Sequence, residues 1–158
     1  MKTIQVKKGE ILQSKGDLNT LAYKVESGLL RSYTIDDKGK EHIYMFAPEN
    51  WIIADGCASE VPCTLYIDVL ENATLQVSSK KVTIENPNID VSPFLKRLST
   101  LQDRIIMLMS SNAIERYEHF VKTYPDIIQR VPQRMIASYL GITPEALSKV
   151  KGEKARAK

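Results

Sequence analysis

The segment from Gln133 to Lys151, QRMIASYLGITPEALSKVK, constrains the fold of this chain more than any other segment does. The small residue Ala137 lies four positions before Gly141, and glycine tolerates the positive φ that a tight turn between two helices needs. Thr143 suits an N-cap and Pro144 suits the first helical position. Apolar residues fall where they would close the small core of such a pair: Ile136, Leu140, Ile142, Leu147 and Val150. The pattern predicts a helix-turn-helix, and a plain helical hairpin is the alternative.

Positive charge is concentrated around this segment. Residues 130–158 carry seven Lys or Arg and two Asp or Glu, a net charge of +5, whereas the whole chain has a formal charge of +3. Basic residues grouped on a helix-turn-helix are what neutralisation of DNA phosphates requires. A solvated basic tail would give the same composition. Together with the helix-turn-helix pattern, the charge favours double-stranded DNA as a partner.

The pattern before Pro93 is that of short β-strands separated by turn residues. The predicted strands are Thr3–Val6, Ile11–Gln13, Ala22–Val25, Leu29–Ile35, Glu41–Phe46, Leu65–Leu70 and Thr74–Val77. Strands of this spacing favour a sandwich or a jelly-roll barrel. We therefore predict an α+β chain with three parts: an N-terminal β jelly-roll barrel (1–91), dimerisation and connecting helices (92–123), and a C-terminal helix-turn-helix (124–158).

The first predicted helix, from about Ser92 into the 110s, carries a heptad stripe. Its apolar positions are spaced 4, 3, 4 and 3 residues apart and the next a position is an asparagine: Phe94, Leu98, Leu101, Ile105, Leu108 and Asn112. Such a stripe pairs helices, and a buried asparagine at an a position fixes register and two-strandedness. We predict a symmetric homodimer across this helix. Packing of the helix on its own barrel is the alternative. A second helix is expected over about Ala113–Lys122, with a further turn over Asp126–Arg130.

Several classes of protein are disfavoured by what the sequence lacks. It has no run of about 18 apolar residues, so we expect no membrane span. Its start has no apolar signal segment, and a cytoplasmic location is expected. Cys57 and Cys63 are expected to be free thiols in the role of small core residues. His42 and His119 lie in different predicted domains, so no metal site is expected. Neither a nucleophile motif nor a Gly-rich phosphate loop is present, and we predict no enzyme activity and no cofactor.

The order of barrel, dimer helix and helix-turn-helix resembles the Crp/Fnr family of bacterial transcription regulators. KKGEILQSKGD, VESGLLRSYTIDDKGKEH and MFAPENWI are similar to the family's cyclic-nucleotide-binding barrel, and LGITPEALSKV is similar to its recognition segment. Gly9, Gly16, Gly28 and Gly39 match the family's turns. Members normally carry a helix before the barrel, whereas this chain begins almost directly with its first strand. The resemblance implies a short, divergent form of a DNA-binding regulator.

The same resemblance implies a degenerate effector pocket. Cyclic-nucleotide binders of the family hold the phosphate with G-E followed by P-R-[ST]-A, and here Ala54-Asp55 and Pro62-Cys63-Thr64 occupy those positions. Without the arginine, a buried phosphodiester would lack its compensating charge. We expect no cyclic AMP binding, and neither Lys80 nor Lys81 is expected to point inward as a substitute. Trp51 is expected to cap the barrel, with stacking on an effector as the alternative. Another small-molecule effector stays open.

The resemblance also implies which residues contact DNA. Members often read bases with an Arg-Glu pair and a later Arg, and the matching positions here are Pro144, Glu145 and Lys149. The predicted base readers are Glu145, Ser148 and Lys149, and the predicted phosphate contacts are Gln133, Arg134, Thr143, Lys151 and Lys154. A surface ion pair between Glu145 and Lys149 is the alternative for those two. Wing strands, which the family usually has, are not evident. A barrel-like sensor or interaction module that does not bind DNA is therefore the second interpretation.

Overall fold

The computed structural model describes residues 2–58, 60–80 and 90–156, with the backbone alone for Pro93 and Phe94. The chain divides into two compact units, Met1–Pro93 and Phe94–Lys158. The described elements of the first unit are strands and those of the second are helices. This is the α+β arrangement that the sequence predicted. The connecting helices and the helix-turn-helix belong to the same unit.

Within its described part, the first unit has one antiparallel sheet of six strands. In chain order they are β1 (Lys2–Val6), β2 (Ile11–Gln13), β3 (Leu21–Ile35), β4 (Glu41–Ala47), β5 (Ile52–Ile53) and β6 (Tyr66–Ser79). The main order is β1-β6-β3-β4, with β2 paired to β6 and β5 paired to β3. The two long strands β3 and β6 therefore form the centre of a barrel-like domain.

Gly28 lies in a bend within β3, whereas its sequence context predicted a turn between two strands. The pairing register between β3 and β6 shifts three times around this position, as β-bulges do. Gly28 has a φ of 93°, and a Cβ there would collide with backbone and side-chain atoms of Asn72 and Ala73. Glycine therefore allows the two strands to pass closely at the bend, and the chain changes direction without leaving the sheet.

Strands β5 and β6 also differ from the prediction. The two strands predicted on either side of residues 71–73 are one strand, β6. The two-residue strand β5 was not predicted, since it is too short to show a period of two. The remaining strands agree with prediction to within a residue at each end.

The strands bury one apolar core, because every second side chain of a strand points to the same face of the sheet. The buried members are Val6, Tyr23, Val25, Leu30, Met45, Ala47, Ile53, Ile67, Val69, Ala73 and Leu75, and Trp51 packs against them half-buried. Arg31 is buried as well, and its guanidinium donates to both oxygens of Asp68 (2.8 and 2.9 Å) and to Glu41 (2.6 Å). The buried cation is thus compensated by two carboxylates.

The helices of the described second unit are α1 (Ser92–Ser110), α2 (Ala113–Thr123), α3 (Ile127–Arg130), α4 (Gln133–Leu140) and α5 (Pro144–Arg156). The predicted second helix and the additional turn are confirmed as α2 and α3. α2 ends one residue before Tyr124-Pro125, since the residue before proline disfavours helical backbone. None of the helices in the described ranges is long and apolar enough to cross a membrane.

Asn112 has a different role from the one predicted. α1 ends at Ser110, and Asn112 is the N-cap of α2. Its side chain accepts hydrogen bonds from the backbone N–H groups of Ile114 and Glu115, each at 3.0 Å. The Glu115 carboxylate in turn accepts from the Asn112 N–H at 2.9 Å, which completes a capping box. Asn112 therefore does not continue the heptad stripe, because a cap satisfies the first N–H groups of α2 and breaks the helix there.

Three aromatic rings form the centre of the helical unit. Phe120 and Tyr124, which lie on and directly after α2, and Tyr139 of α4 are all buried, with ring centroids 5.4–5.5 Å apart. Their tilted and edge-to-face geometries are those that aromatic pairs favour. This cluster packs α4 against α2.

Candidate DNA-binding surface and effector loop

The turn between α4 and α5 has the geometry that the sequence predicted. Gly141 has a left-handed φ of 64°. The N–H of Ile142 donates to the Ala137 carbonyl (3.1 Å) and that of Gly141 to the Ser138 carbonyl (3.2 Å). This pair of bonds is a Schellman motif, which satisfies carbonyls at the end of α4. The turn therefore depends on a left-handed backbone conformation at Gly141, which glycine adopts without strain.

The start of α5 is capped as expected. The Thr143 hydroxyl accepts a hydrogen bond from the Ala146 N–H at 3.2 Å, and Pro144 takes the first helical position. Of the predicted core, Ile136, Ala137, Leu140, Leu147 and Val150 are buried and Ile142 is half-buried. Tyr139 was missed as a core residue, although the residue is only 1% exposed. A hydroxyl-bearing residue next to a predicted core position gives no clear signal of burial.

The three predicted base readers lie together on the exposed side of α5. Glu145, Ser148 and Lys149 are all exposed, and their spacing of three and four residues puts them on one helix face. Among the predicted phosphate contacts, Gln133, Arg134 and Thr143 are exposed, whereas Lys151 and Lys154 are half-buried. The surface combines carboxylate, hydroxyl and ammonium groups, which can accept from and donate to base edges.

Glu145 and Lys149 each have another neighbour. The Lys149 ammonium lies 4.0 Å from the Glu153 carboxylate, one turn further along α5, and 80% of its side chain is exposed. A hydrogen bond from its own backbone N–H, followed by one from the Thr143 hydroxyl, lowers the pKa of the Glu145 carboxyl. Glu145 is therefore ionised at the positive end of the helix, where an anion is favoured.

Lys154 is engaged with the neighbouring helix. Its ammonium lies 2.5 Å from the Glu118 carboxylate of α2, and both side chains are about half-exposed. Contacts of this kind at the surface contribute little to stability. The pair nevertheless connects the outer half of α5 to α2, and Glu118 gave no signal of this role in the sequence.

Only some residues of the predicted heptad stripe on α1 are exposed. Leu98 and Ile105 are 55% and 57% exposed, whereas Leu101 and Leu108 are half-buried. Phe94 lies where side chains are not described. Apolar side chains beside the predicted stripe are also exposed: Leu95, Ile106 and Met109. The exposed apolar face of α1, comprising Leu95, Leu98, Ile105, Ile106 and Met109, is thus displaced to one side of the predicted heptad.

The barrel brings together the residues matched to the phosphate cassette. Asp55 is 5% exposed and its carboxylate accepts hydrogen bonds from the backbone N–H groups of Cys57 (2.8 Å), Thr64 (3.0 Å) and Leu65 (3.0 Å). The Thr64 hydroxyl lies 3.3 Å from the same carboxylate. Burial alone would raise the pKa of this carboxyl, but the hydrogen bonds outweigh it and hold the pKa below its usual value. We call residues 54–65 the effector loop. Three of its backbone N–H groups therefore already bind an anion, the carboxylate of Asp55.

The two cysteines are free, as expected. Cys63 is buried and its Sγ lies 2.9 Å from the Ser14 carbonyl, whereas Cys57 is half-buried. Lys80 lies beside the effector loop: its ammonium donates to the Cys57 carbonyl at 3.2 Å and lies 3.5 Å from the Cys57 Sγ. Ala54 is half-buried at the start of this loop, and Lys81 lies outside the described residues. Among the described residues, no group of three or more His, Cys, Asp or Glu side chains could hold a metal ion.

Comparison with known proteins gives relatives in sequence. The anaerobic regulatory protein of Aggregatibacter actinomycetemcomitans is 23% identical over 174 residues, and the fumarate and nitrate reduction regulatory protein of Yersinia pestis is 26% identical over 172 residues. Each match covers 93% of this chain, which spans 64% and 66% of the length of the two relatives. No protein-family model matches the chain.

Solved structures share the fold. FixK2 from Bradyrhizobium japonicum has a TM-score of 0.80 at 19% identity, over 99% of this chain and 85% of FixK2. A transcriptional regulator of the CRP/FNR family from Thermus thermophilus has a TM-score of 0.76 at 17% identity, over 99% of this chain and 87% of that regulator. The chain therefore has the fold of a CRP/FNR-family transcription regulator, and it is similar in sequence to two bacterial regulatory proteins along 93% of its length.

Proposed function

We propose that this protein is a transcription regulator that binds double-stranded DNA as a homodimer in the cytoplasm, and that it is not an enzyme. The observation that carries the proposal is the exposed face of α5, where Glu145, Ser148 and Lys149 follow a capped turn. In a helix-turn-helix the second helix enters the major groove with its N-terminal residues against base edges. These three residues lie in the first two turns of α5 and supply both acceptors and donors.

The exposed apolar face of α1 supports the homodimer. Leu98 and Ile105 are seven residues apart and Met109 follows four residues later, at 55%, 57% and 82% exposure. Seven-residue spacing keeps side chains on one face of a helix that pairs with a copy of itself. A second copy would cover these side chains, and the two-fold symmetry would present two recognition helices to two half-sites.

The effector loop supports the absence of cyclic nucleotide binding. A phosphodiester at this place would meet the Asp55 carboxylate, an anion that already accepts from three backbone N–H groups. Two anions sharing one set of donors repel each other in a buried site. The arginine that would balance the charge is replaced by Cys63, whose thiol is buried. Calorimetry of cyclic AMP against the intact protein should detect no binding at micromolar concentration, and micromolar affinity would contradict this part of the proposal.

A binding-site selection tests the DNA proposal. The intact protein is incubated with a pool of random duplexes at about 0.1 M salt, where non-specific binding is reduced but not abolished. We expect enrichment of a two-fold symmetric sequence. The control is a double variant, Glu145→Ala with Lys149→Ala, which keeps the buried core of the helix-turn-helix and should enrich no comparable sequence. Failure of the wild-type protein to enrich any sequence would contradict the proposal and favour a sensor or interaction module.

A further inference from the structure

The ends of three elements meet around one arginine in the helical unit. Arg116, in the first turn of α2, donates from Nε to the Ser111 carbonyl (2.9 Å), from Nη2 to the Leu108 carbonyl (3.0 Å), and from Nη1 to the Leu140 carbonyl (3.2 Å). Leu108 lies in the last turn of α1, Ser111 directly follows α1, and Leu140 is the last residue of α4. Carbonyls at helix C-termini lack partners within their helix and carry partial negative charge. A guanidinium can bind three of them at once, because its donors form a rigid planar fork.

The turn of the helix-turn-helix packs on the same place. A Cβ on Gly141 would lie 3.5 Å from Leu108 Cδ2 and 3.6 Å from Arg116 Nη1. The turn therefore lies close to Leu108 at the end of α1 and to the Arg116 guanidinium. A substitution of Arg116 would change the packing of the turn that connects α4 to the recognition helix α5.

A second arginine connects α1 to α4 next to the first. Arg104 of α1 donates from Nη2 to the Tyr139 carbonyl at 3.0 Å, and its guanidinium carbon lies 4.0 Å from the centroid of the Tyr139 ring. Tyr139 is buried in the aromatic cluster with Phe120 and Tyr124. Two consecutive carbonyls of α4, those of Tyr139 and Leu140, are thus held by arginines from α1 and α2.

We propose that Arg116 is a positioning residue that fixes the helix-turn-helix relative to α1 and thereby sets the spacing of DNA half-sites that the dimer accepts. The inference rests on the proposed function. If α1 pairs two copies, the distance and angle between the two copies of α5 depend on how rigidly each helix-turn-helix is held to α1. Half-sites of helix-turn-helix dimers lie about 34 Å apart, one helical turn of DNA. One inserted base pair moves a half-site along and around the DNA axis, so a rigid dimer discriminates against it.

Binding to a series of duplexes tests this inference. The series contains the sequence selected by the wild-type protein, the same sequence with one or two base pairs inserted between its halves, and a single half-site. We expect wild-type affinity to fall steeply with each insertion. For Arg116→Gln the ratio of affinities between native and inserted spacing should shrink by about tenfold or more. Its affinity for the single half-site should stay close to that of the wild type, because the Arg116 guanidinium is bonded to three backbone carbonyls and is not among the proposed DNA contacts.

Two further variants separate this role from general effects. Arg134→Gln removes an exposed, proposed phosphate contact and should weaken binding to the native and the inserted duplexes by the same factor, with the spacing ratio unchanged. Arg104→Lys keeps the positive charge but removes the contact of the guanidinium with the Tyr139 ring and its forked donors. It should also reduce the spacing ratio. This variant tests the inference even if Arg116→Gln fails to fold. Light scattering should show both positioning variants to be dimers.

The outcomes distinguish the inference from the proposed function. If the wild-type protein binds none of the duplexes, the proposed function fails and the inference fails with it. If the wild-type protein binds and the folded positioning variants keep its spacing ratio, the inference is overturned and the proposed function stands. A loss of half-site affinity equal to the loss on the native duplex would also overturn it, because it would indicate damage to the reading surface.

Discussion

At the scale of single residues, three polar side chains each form hydrogen bonds with several backbone groups and so fix the local backbone. Asp55 accepts from three N–H groups, Asn112 from two, and Arg116 donates to three carbonyls. In each case a side chain satisfies backbone groups of a loop or a helix end that lack partners within a strand or helix. Such residues resist conservative replacement, because a change leaves several groups unsatisfied at once.

Replacement of Asp55 by Asn should destabilise the barrel unit by about 1.5–3 kcal/mol at neutral pH, the range for hydrogen bonds to a charged group. The amide would place its own donor against the N–H groups of the effector loop. Urea unfolding followed by the fluorescence of Trp51, the single tryptophan, measures the difference. Asp37→Asn is the control, since Asp37 is exposed.

The pH dependence of that difference follows from the lowered pKa of the Asp55 carboxyl. A carboxyl with a lowered pKa in the folded state contributes stability above its unfolded pKa of about 3.9 and loses it as pH falls through the folded value. The difference between wild type and Asp55→Asn should therefore be constant above about pH 5 and shrink below about pH 3.9. A difference that grows on acidification would show that Asp55 is not held as an anion.

Base reading by α5 is tested by single substitutions on its exposed face. Lys149→Ala should cost about 1–3 kcal/mol on the selected sequence, and Glu145→Ala should relax specificity at one position. Arg134→Ala, a proposed phosphate contact, should instead weaken all sequences alike and reduce the salt slope by about two, one for each protomer of the dimer. Selection experiments with each variant give the comparison. An unchanged motif with Glu145→Ala would remove Glu145 as a base reader and leave its role as part of the helix cap.

At the scale of elements, the long strand β3 and the helix α1 differ most from their predicted forms. β3 passes through a glycine bend that the sequence pattern presented as a turn, because Ser-Gly pairs occur in both. α1 exposes an apolar face displaced from the predicted stripe, because Leu101 and Leu108 are half-buried whereas Leu95, Ile106 and Met109 beside the stripe are exposed. Period and spacing identify an element, but its packing partners decide which residues of that element remain exposed.

Gly28→Ala should destabilise the barrel unit, since the added Cβ would collide with Asn72 and Ala73 at a positive φ. Gly39→Ala is a matched control: its φ is also positive, at 77°, but a Cβ there meets nothing within 4 Å. We expect a cost of about 1 kcal/mol for the control, and about 1–3 kcal/mol more for Gly28 because of overpacking. Equal effects in urea unfolding would show that β3 and β6 do not pass closely at this bend.

Ile105→Asp should divide the dimer into monomers, because it places a charge in the centre of the exposed apolar face of α1. Ile105 is 57% exposed within one chain, so the substitution should leave the fold of the monomer intact. Lys96→Asp changes an exposed position of the same helix that is not three, four or seven residues from any residue of the apolar face, and it should leave the dimer unchanged. Light scattering at micromolar concentration distinguishes the two. A wild-type monomer, or an Ile105→Asp dimer, would contradict pairing through this face.

At the scale of the whole molecule, the sequence predicted the order of barrel, helices and helix-turn-helix because those elements carry local signals. Gly141, Thr143 and Pro144 identify the turn through backbone conformation and capping alone. The roles of Arg116 and Glu118 were not predictable in this way, since their partners, such as Leu140 and Lys154, lie far along the chain. The position of Asp55 followed from the family resemblance, but its hydrogen bonds depend on how the effector loop closes on itself.

The most direct test of a DNA-binding homodimer compares two duplexes at several salt concentrations by fluorescence anisotropy. One is the selected two-fold symmetric sequence, and the other has one half scrambled. We expect two chains bound to each intact duplex, an affinity that falls linearly on logarithmic axes with salt, and at least about a thousandfold preference over unrelated DNA. Scrambling one half should remove much of that preference. Equal affinity for the intact, half-scrambled and unrelated duplexes would show that the protein is not a sequence-specific DNA-binding homodimer.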